Sequence, residues 1–297
     1  MLNYLRALRA PFLSGSLIPV LMAAAWTWNH PNFQWPNAVL ALAGIACLHL
    51  ASNLINDWAD SRGSDPVNQR VTPFSGGSRV IQQGRLSSTE VLVLSLIFYG
   101  LGIAIGLYLA RNYPYVLPIG LAGLGIGFFY SVGPFRLMSR GAGEIGIFFA
   151  FGPLVTLGAA YVMTGEITLA AFLLGIPSGF LITAVIWINQ FPDFLADRQT
   201  GKRNLVVRMG LRKAKLVYPA LLLGGFASLI GLTAVGFSKG LLLGLLAAPV
   251  AIKAATIFKK QYGRHPGVVP AQALTIQTQL GLGLLAGAGL MLAGWMV

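Results

Sequence analysis

Runs of apolar residues long enough to cross a membrane recur along the whole of this chain, and they constrain its fold more than any other feature. Hydrophobic residues make up 56% of the 297 positions, and only 10% are charged. A soluble domain usually carries about 25% charged residues, so this chain has too little polar surface to cover a globule in water. The sequence therefore predicts an all-α, polytopic membrane protein that forms one domain, 1–297.

Nine spans are predicted, because about 20 apolar residues in a helix cross the hydrocarbon core of a bilayer. They are expected near 11–28, 37–55, 88–110, 115–133, 143–163, 168–190, 214–236, 239–257 and 272–296. Turn-forming residues such as Asn29-His30-Pro31 separate most of them. Two joints, 56–87 and 191–213, are longer and richer in charge than the others.

The basic residues predict how the chain is oriented in the membrane. All but two of the 21 Lys and Arg residues fall in segments that nine alternating spans place on one side; the exceptions are Arg111 and Lys239. Basic loops stay in the cytoplasm, so we expect a plasma-membrane protein with a cytoplasmic N-terminus and cytoplasmic long joints. The net charge of +13 does not predict a nucleic-acid partner, because the basic residues lie between apolar runs.

Glycines are frequent, and two spans carry them in clusters. One cluster is Gly120, Gly123, Gly125 and Gly127, and the other is Gly281, Gly283, Gly287 and Gly289. Small residues allow helix backbones to approach closely in lipid. Both clusters are therefore expected to pack against neighbouring helices.

Acidic residues are scarce and clustered. The chain has 8 of them, and five lie in two short segments, at Asp57, Asp60 and Asp65 and at Asp193 and Asp197. Carboxylates close to hydrocarbon are costly unless they are paired or bound to a metal. Residues three or four positions apart share one face of a helix, so each segment presents its oxygens together.

Amide and basic side chains accompany these carboxylates. Asn53 and Asn56 precede Asp57 at helical spacing, and oxygen ligands of this kind favour Mg²⁺ or Ca²⁺. The basic residues nearby are Arg62, Arg70, Arg198, Lys202 and Arg203. Acids that hold Mg²⁺, with cations beside them, are typical of a diphosphate-binding site. The alternative is a membrane-surface loop whose acids only balance its bases.

Two motifs resemble those of a known family. Asn56, Asp57 and Asp60 resemble the Asn-Asp-x-x-Asp element of the UbiA superfamily of intramembrane aromatic prenyltransferases. Asp193 and Asp197 resemble the Asp-x-x-x-Asp element of the same superfamily. Further segments that resemble it are 9–11, 76–84 and 130–144. Segment 197–207 is similar to the branch that prenylates 1,4-dihydroxy-2-naphthoate.

The resemblance implies a fold and a site. It implies nine helices around a central cavity, with the two Asp motifs facing each other beneath a cytoplasmic cap. The four motif aspartates would be catalytic and would bind Mg²⁺ and diphosphate together with Asn56. The resemblance suggests that Arg9, Tyr130, Ser131 and Lys202 contact the diphosphate or the start of the prenyl chain. Residues beside the motifs that we also expect to bind substrate are Asn53, Arg62, Asn189 and Arg198.

Three acidic or basic positions and one proline leave questions open. Asp65 comes five residues after Asp60, where the family usually has four, so its role as a ligand is undecided. Pro192 precedes Asp193 at a position that is often polar or basic, and it is expected to bend the entry to the motif. His49 is either a cavity residue or a hydrogen-bonded core histidine. Glu144 either serves the site or only complements a helix N-terminus.

The chemistry predicted from these residues is Mg²⁺-dependent prenyl transfer. A polyprenyl diphosphate would ionise, and the prenyl cation would attack an aromatic acceptor similar to 1,4-dihydroxy-2-naphthoate, as in quinone biosynthesis. The bilayer is the other expected partner, and no protein partner is implied. Transfer to a non-aromatic lipid or sugar is an alternative. A cation-coupled transporter is disfavoured because transporter acids lie near the membrane midplane.

Overall fold

The computed structural model describes residues 2–295, and helices dominate it. Eight of its helices are long and apolar enough to cross a membrane, and a ninth apolar helix, Val116–Ser131, is shorter. In chain order they are α1 (Leu2–Thr27), α2 (Trp35–Asp60), α3 (Ser88–Ala110), α4 (Val116–Ser131), α5 (Gly143–Thr164), α6 (Leu169–Gln199), α7 (Leu211–Ala234), α8 (Lys239–Gln261) and α9 (Val269–Gly294). Each predicted span corresponds to one of these helices, so the prediction of an all-α, multi-pass membrane fold is confirmed.

Two helices extend further than the sequence predicted. The second span was expected to end near 55 and the sixth near 190, but α2 continues to Asp60 and α6 to Gln199. The acidic motifs therefore lie on the last turns of helices and not in loops. Helical backbone satisfies its own hydrogen bonds, so it can continue at membrane depth wherever its polar side chains find partners. Pro192 lies inside α6 without interrupting it.

Local signals in the sequence account for several helix ends. Ser87 and Glu90 form a capping box before α3: the Ser87 hydroxyl accepts the Glu90 amide at 3.1 Å, and the Ser87 amide donates to the Glu90 carboxylate at 2.7 Å. Gly165 ends α5 in the left-handed region at φ 82°, which favours glycine. Thr168 then caps α6 by accepting the Ala171 amide. These caps fix where the chain enters and leaves each span.

Each helix divides its surface between the protein core and the lipid. On α7, Leu216, Leu223 and Ile230 recur every seven residues and are 67%, 68% and 53% exposed. The opposite face carries Tyr218, whose hydroxyl lies 2.6 Å from the Thr275 hydroxyl of α9 in a buried hydrogen bond. An apolar outer face with polar bonds kept inside is the arrangement expected of a helix bundle in a bilayer.

The two glycine clusters behave differently. In α9, Gly289 packs against the backbone of Gly240 in α8, and Gly283 packs against Ile18 of α1, so close packing is confirmed there. The packing prediction for the α4 cluster is wrong. A methyl group added at Gly120, Gly123 or Gly125 would meet nothing within 4 Å. Gly120 and Gly123 border a cavity, so their missing side chains leave space instead of bringing a helix closer. Only Gly127 has a close neighbour, the Ser52 hydroxyl.

The helices α5 and α6 make a close backbone contact through glycines. α5 is interrupted by a π-helical turn, Ala150–Leu154, that contains Pro153. A π turn is a wider loop of helix, and here it places Gly152 against α6. A methyl group at Gly152 would lie 2.6 Å from the Gly175 carbonyl oxygen and 2.7 Å from the Gly179 backbone. Only a glycine allows this approach.

Gly152→Ala is predicted to destabilise the protein. The added methyl has only backbone to meet, so α5 and α6 must separate, at a cost of about 1–3 kcal/mol. Thermal unfolding of the detergent-solubilised protein should show a lower midpoint for this variant. Gly231→Ala is the matched control, because an added methyl there meets nothing within 4 Å. Equal midpoints for the two variants would contradict the contact.

Candidate functional site

A polar cavity lies where the acidic ends of α2 and α6 meet. Its volume is about 1110 Å³, including its open mouth. Loops 61–87 and 200–204 contribute to it, together with α1, α4 and α5. The residues singled out in the sequence that line it are Arg9, Asn53, Asn56, Asp60, Asp65, Tyr130, Asn189, Asp193, Asp197 and Lys202. The structure therefore brings most of the predicted site residues to one cavity.

Lys202 joins the two acidic motifs. Its ammonium nitrogen lies 2.7 Å from an Asp60 carboxylate oxygen and 3.6 Å from an Asp197 oxygen. The turn after α6 aims it there: Gly201 has φ 78°, and the Lys202 amide donates to the Asp197 carbonyl at 2.9 Å. Burial acts to lower the pKa of Lys202, but Asp60 and Asp197 outweigh it, so the pKa is raised and the ammonium persists.

Asp57 is held by the loop that follows α2. The carboxylate is buried and accepts the Ser78 amide at 3.1 Å. Arg9, in the left-handed region at φ 51°, lies 3.6 Å from the other oxygen and also stacks over Phe12. Asp57 therefore faces this loop and Arg9, behind the residues that line the cavity.

Asp193 is held by the same loop from the opposite side. Asn68 donates to one carboxylate oxygen at 2.7 Å, and the Gly76 amide donates to the other at 3.3 Å. On the α2 side, Asn56 donates to Asp60 at 3.2 Å and to the Ser131 hydroxyl at 3.0 Å. Ser131 thus lies one hydrogen bond away from the acidic motif, as a support for Asn56.

Asp65 belongs to the cavity, although its spacing left this open. It is buried against Gly77, and Gln82 donates to it at 3.4 Å. Burial, followed by the negative charges of Asp60 and Asp57, raises the pKa of Asp65 to about 7. A pKa raised mainly by burial shows that this carboxyl group is shielded from water.

Two of the predicted site residues lie outside the cavity, and two others line it with their side-chain amides bound to neighbouring segments. Arg62 is exposed and stacks on Trp58, with 4.5 Å between the guanidinium and the ring centroid. Arg198 is also exposed, and neither arginine lines the cavity. Asn53 uses its amide to bind the Leu8 carbonyl at 3.2 Å, and Asn189 accepts from Gln272 at 2.9 Å. Both asparagines still line the cavity while anchoring a neighbouring segment.

The two residues whose roles were left open are both buried. His49 has its Nδ1 at 2.8 Å from the Ser16 hydroxyl and packs edge-to-face on Phe151. Glu144 does more than complement a helix N-terminus. Its Oε1 accepts from Gln190 at 2.9 Å and from the Leu205 amide at 3.0 Å. It therefore connects α5, α6 and the segment after Lys202.

Sequence reasoning missed several residues that shape this site. They are Asn68, Gly76, Gly77, Gln190 and Asn204. Three of them carried a signal in the sequence: the pair Gly76-Gly77 is typical of a turn, and Asn204 is a residue type that caps helices, as it does for the short helix Leu205–Met209. Asn204 also donates to Asp197 at 2.8 Å. The contact between Asn68 and Asp193 spans 125 residues and has no local signature.

A second, apolar cavity adjoins the first. Its volume is about 1000 Å³, including its open mouth, and it is lined by α2, α3, α4 and α5 and by Ser16 of α1. His49, Ser52, Gly127 and Phe151 line both cavities, so the two meet there. The open face of the α4 glycines, at Gly120 and Gly123, borders this apolar space.

An all-α membrane bundle with an acidic cavity beside an apolar one defines a class of membrane-embedded enzymes that act on lipid-like substrates. The model of the UbiA prenyltransferase family matches residues 16–269, and the chain belongs to that family. It is a prenyltransferase.

Relatives agree with this assignment, and solved structures share the fold. A 1,4-dihydroxy-2-naphthoate octaprenyltransferase of Escherichia coli (strain K12) is 29% identical, over 98% of this chain and 96% of its own length. The Bacillus subtilis (strain 168) protein of the same description is 26% identical, over 95% of this chain and 89% of its own length. Among solved structures, a UbiA homologue from Aeropyrum pernix K1 has a TM-score of 0.72 at 19% identity, over 96% of this chain and 98% of its own. A UbiA homologue from Archaeoglobus fulgidus, bound to GPP and Mg²⁺, has a TM-score of 0.67 at 17% identity, over 96% of this chain and 99% of its own.

Gly77→Ala is predicted to reduce prenyl transfer by on the order of 100-fold, since displacements of about 1 Å at a catalytic site cost that much. An added methyl would lie 2.5 Å from an Asp65 oxygen and 3.3 Å from an Asp57 oxygen, so the loop must move. Gly84→Ala is the matched control. Gly84 also has positive φ, but an added methyl there meets nothing within 4 Å. Similar turnover in both variants would contradict the role of the loop.

Proposed function

We propose that this protein transfers a polyprenyl group from a polyprenyl diphosphate to a hydroxylated aromatic acceptor of the 1,4-dihydroxy-2-naphthoate kind. The observation that supports this most strongly is the convergence of the α2 and α6 carboxylates on a cavity that adjoins an apolar one. A diphosphate with its metal ion requires the carboxylate-lined cavity, and an isoprenoid chain requires the apolar cavity. The names of the relatives from Escherichia coli and Bacillus subtilis support the aromatic acceptor.

The donor set at the polar cavity fits Mg²⁺. Four carboxylates line it, from Asp60, Asp65, Asp193 and Asp197, against two cationic side chains, Arg9 and Lys202. This excess of negative charge and of hard oxygen atoms suits a divalent cation. In the described residues, no three Asp, Glu, His or Cys side chains are grouped closely enough to enclose an ion by themselves. Mg²⁺ typically takes one or two carboxylates together with substrate phosphates, so diphosphate oxygens would complete its shell.

Asp60 on α2 and Asp193 and Asp197 on α6 would hold this ion, with Asn56 orienting Asp60. When bound, Mg²⁺ neutralises charge on the diphosphate and makes it a better leaving group. Lys202 and Arg9 already neutralise carboxylates around the cavity, and we propose that they contact the diphosphate. Their ammonium and guanidinium groups would stabilise the negative charge that grows on the departing oxygen.

The reaction exchanges one bond for another without oxidation or reduction. The bond between the prenyl carbon and the diphosphate oxygen breaks, and both of its electrons leave with the diphosphate. A pair of ring π electrons then forms the new carbon–carbon bond to the prenyl carbon. The ring regains its aromaticity by releasing a proton, or carbon dioxide, from the attacked carbon. The protein positions the partners and shields the allylic cation from water.

The apolar cavity is the proposed site of the prenyl chain. It begins at His49 and Ser52 and runs along α2 to Leu40, which is about 18 Å from Ser52 at the rise of a helix. Its lining is almost entirely aliphatic, apart from a few groups at the junction with the polar cavity. Glycines on α4 widen it. This placement leaves the allylic carbon next to the carboxylates.

The orientation proposed for the chain puts both motifs at the cytoplasmic face of the cell membrane. Two basic residues, Arg111 and Lys239, lie outside the basic segments. Arg111 follows the end of α3, and Lys239 begins α8, so both lie on the side of the bundle away from the motifs. On that other side, Trp28, Phe33 and Trp35 form an aromatic cluster of the kind found at membrane interfaces.

Asp193→Asn is predicted to reduce turnover by about 10²–10³-fold, because it removes one charge that holds the cation while keeping the side-chain shape. The measurement is diphosphate release from farnesyl diphosphate by purified protein with Mg²⁺ and 1,4-dihydroxy-2-naphthoate. Glu166→Gln is the control: Glu166 is exposed at the other face, 3.4 Å from His30.

Removal of divalent cations with EDTA should stop the reaction of the unaltered protein, and added Mg²⁺ should restore it. Turnover that survives both EDTA and Asp193→Asn would contradict the role assigned to the carboxylates.

A further inference from the structure

Gln190 carries a hydrogen-bond acceptor that has no partner. The side chain lies one turn before Asp193 on α6 and is 8% exposed. Its Oε1 is buried and makes no hydrogen bond. Among the buried side-chain atoms of the described residues that lack a partner, it is the one whose residue lines the polar cavity. This atom takes no part in the proposed binding of diphosphate.

The orientation of the Gln190 amide is fixed by Glu144. The Nε2 of Gln190 donates to Glu144 Oε1 at 2.9 Å, and the same oxygen accepts the Leu205 amide at 3.0 Å. Because that oxygen acts as an acceptor, the amide must present its nitrogen to Glu144. Its oxygen is therefore held on the other side, as an acceptor only. A donor is needed to satisfy it.

An unsatisfied buried acceptor is costly, about 1–3 kcal/mol, and such groups are rare unless a ligand or a function uses them. The lining of the cavity also includes apolar side chains, among them Ile147, Phe151 and Ile186, the last of which lies one turn before Gln190 on α6. An apolar wall with one fixed acceptor suits a flat ring that carries a hydroxyl group.

The position of Gln190 matches the geometry of the transfer. Gln190, Asp193 and Asp197 share one face of α6, and Gln190 is about 4.5 Å deeper along the helix than Asp193. A ring bound at Gln190 would therefore lie beside the carbon that the diphosphate leaves.

We propose that Gln190, held by Glu144, binds a hydroxyl group of the aromatic acceptor and thereby selects hydroxylated rings. This inference rests on the proposed function and deepens it by locating the acceptor. The hydroxyl donates its hydrogen to Gln190 Oε1 and keeps its oxygen lone pairs for the ring. Glu144 acts as a positioning residue, because its effect on the acceptor passes through the orientation of Gln190.

The test compares two ligands on four proteins. Equilibrium binding of 1,4-dihydroxy-2-naphthoate and of its dimethyl ether is measured with the full chain in detergent. The unaltered protein should bind the dihydroxy ring at least about tenfold more tightly, since a buried acceptor rejects a ligand that lacks the donor. Gln190→Leu should abolish this preference and leave the KM for farnesyl diphosphate unchanged. Glu144→Gln should reduce the preference, because the two amides can then pair in either orientation.

Gln279→Leu is the matched control. Gln279 is also buried and donates to the Ser14 carbonyl at 3.1 Å, but it does not line the polar cavity. Its loss should leave the preference intact. Equal binding of both ligands by the unaltered protein would overturn the inference, as would a preference that survives Gln190→Leu. Failure of the proposed function looks different: the preference and its loss would be observed, but no prenyl group would be transferred.

Discussion

The Lys202 ammonium between Asp60 and Asp197 is the interaction on which the rest of the site depends. It joins the end of α2 to the end of α6, two segments far apart in the sequence. Without a cation, these buried carboxylates would repel each other close to hydrocarbon, where unpaired charge is most costly. The loops on either side add neutral donors to the same carboxylates: Asn68 and Gly76 to Asp193, and Asn204 to Asp197. The acids are thus held together before any substrate binds.

Irregular backbone gives this arrangement its shape. The π turn of α5 and the glycine contact with α6 bring these helices close, whereas the α4 glycines leave space beside α2. One set of small residues therefore closes a helix interface, and the other opens a cavity. The same residue type has opposite consequences because of what faces it. Together they place an apolar cavity directly beside an acidic one.

The spans were predictable from sequence because the bilayer imposes a length and an apolar composition on every helix. The acidic motifs were predictable because carboxylates close to hydrocarbon are costly unless a partner or a metal ion stabilises them. The limits lay in contacts between distant residues. Asn68 looks like an ordinary loop residue, and only the folded chain places it against Asp193. Arg62 and Arg198 were expected at the site from proximity in sequence, but both are exposed and directed away from the cavity.

The central claim is that the carboxylates of α2 and α6 serve one ligand, and a double-mutant cycle tests it most directly. Asp60 and Asp193 come from different helices and have no hydrogen-bond partner in common. Mg²⁺-dependent binding of farnesyl thiodiphosphate would be measured for Asp60→Asn, Asp193→Asn and the double variant. Our account predicts strong non-additivity, with a coupling free energy of about 0.5–3 kcal/mol. Losses that simply multiply would mean that the two carboxylates act independently, which contradicts a shared site.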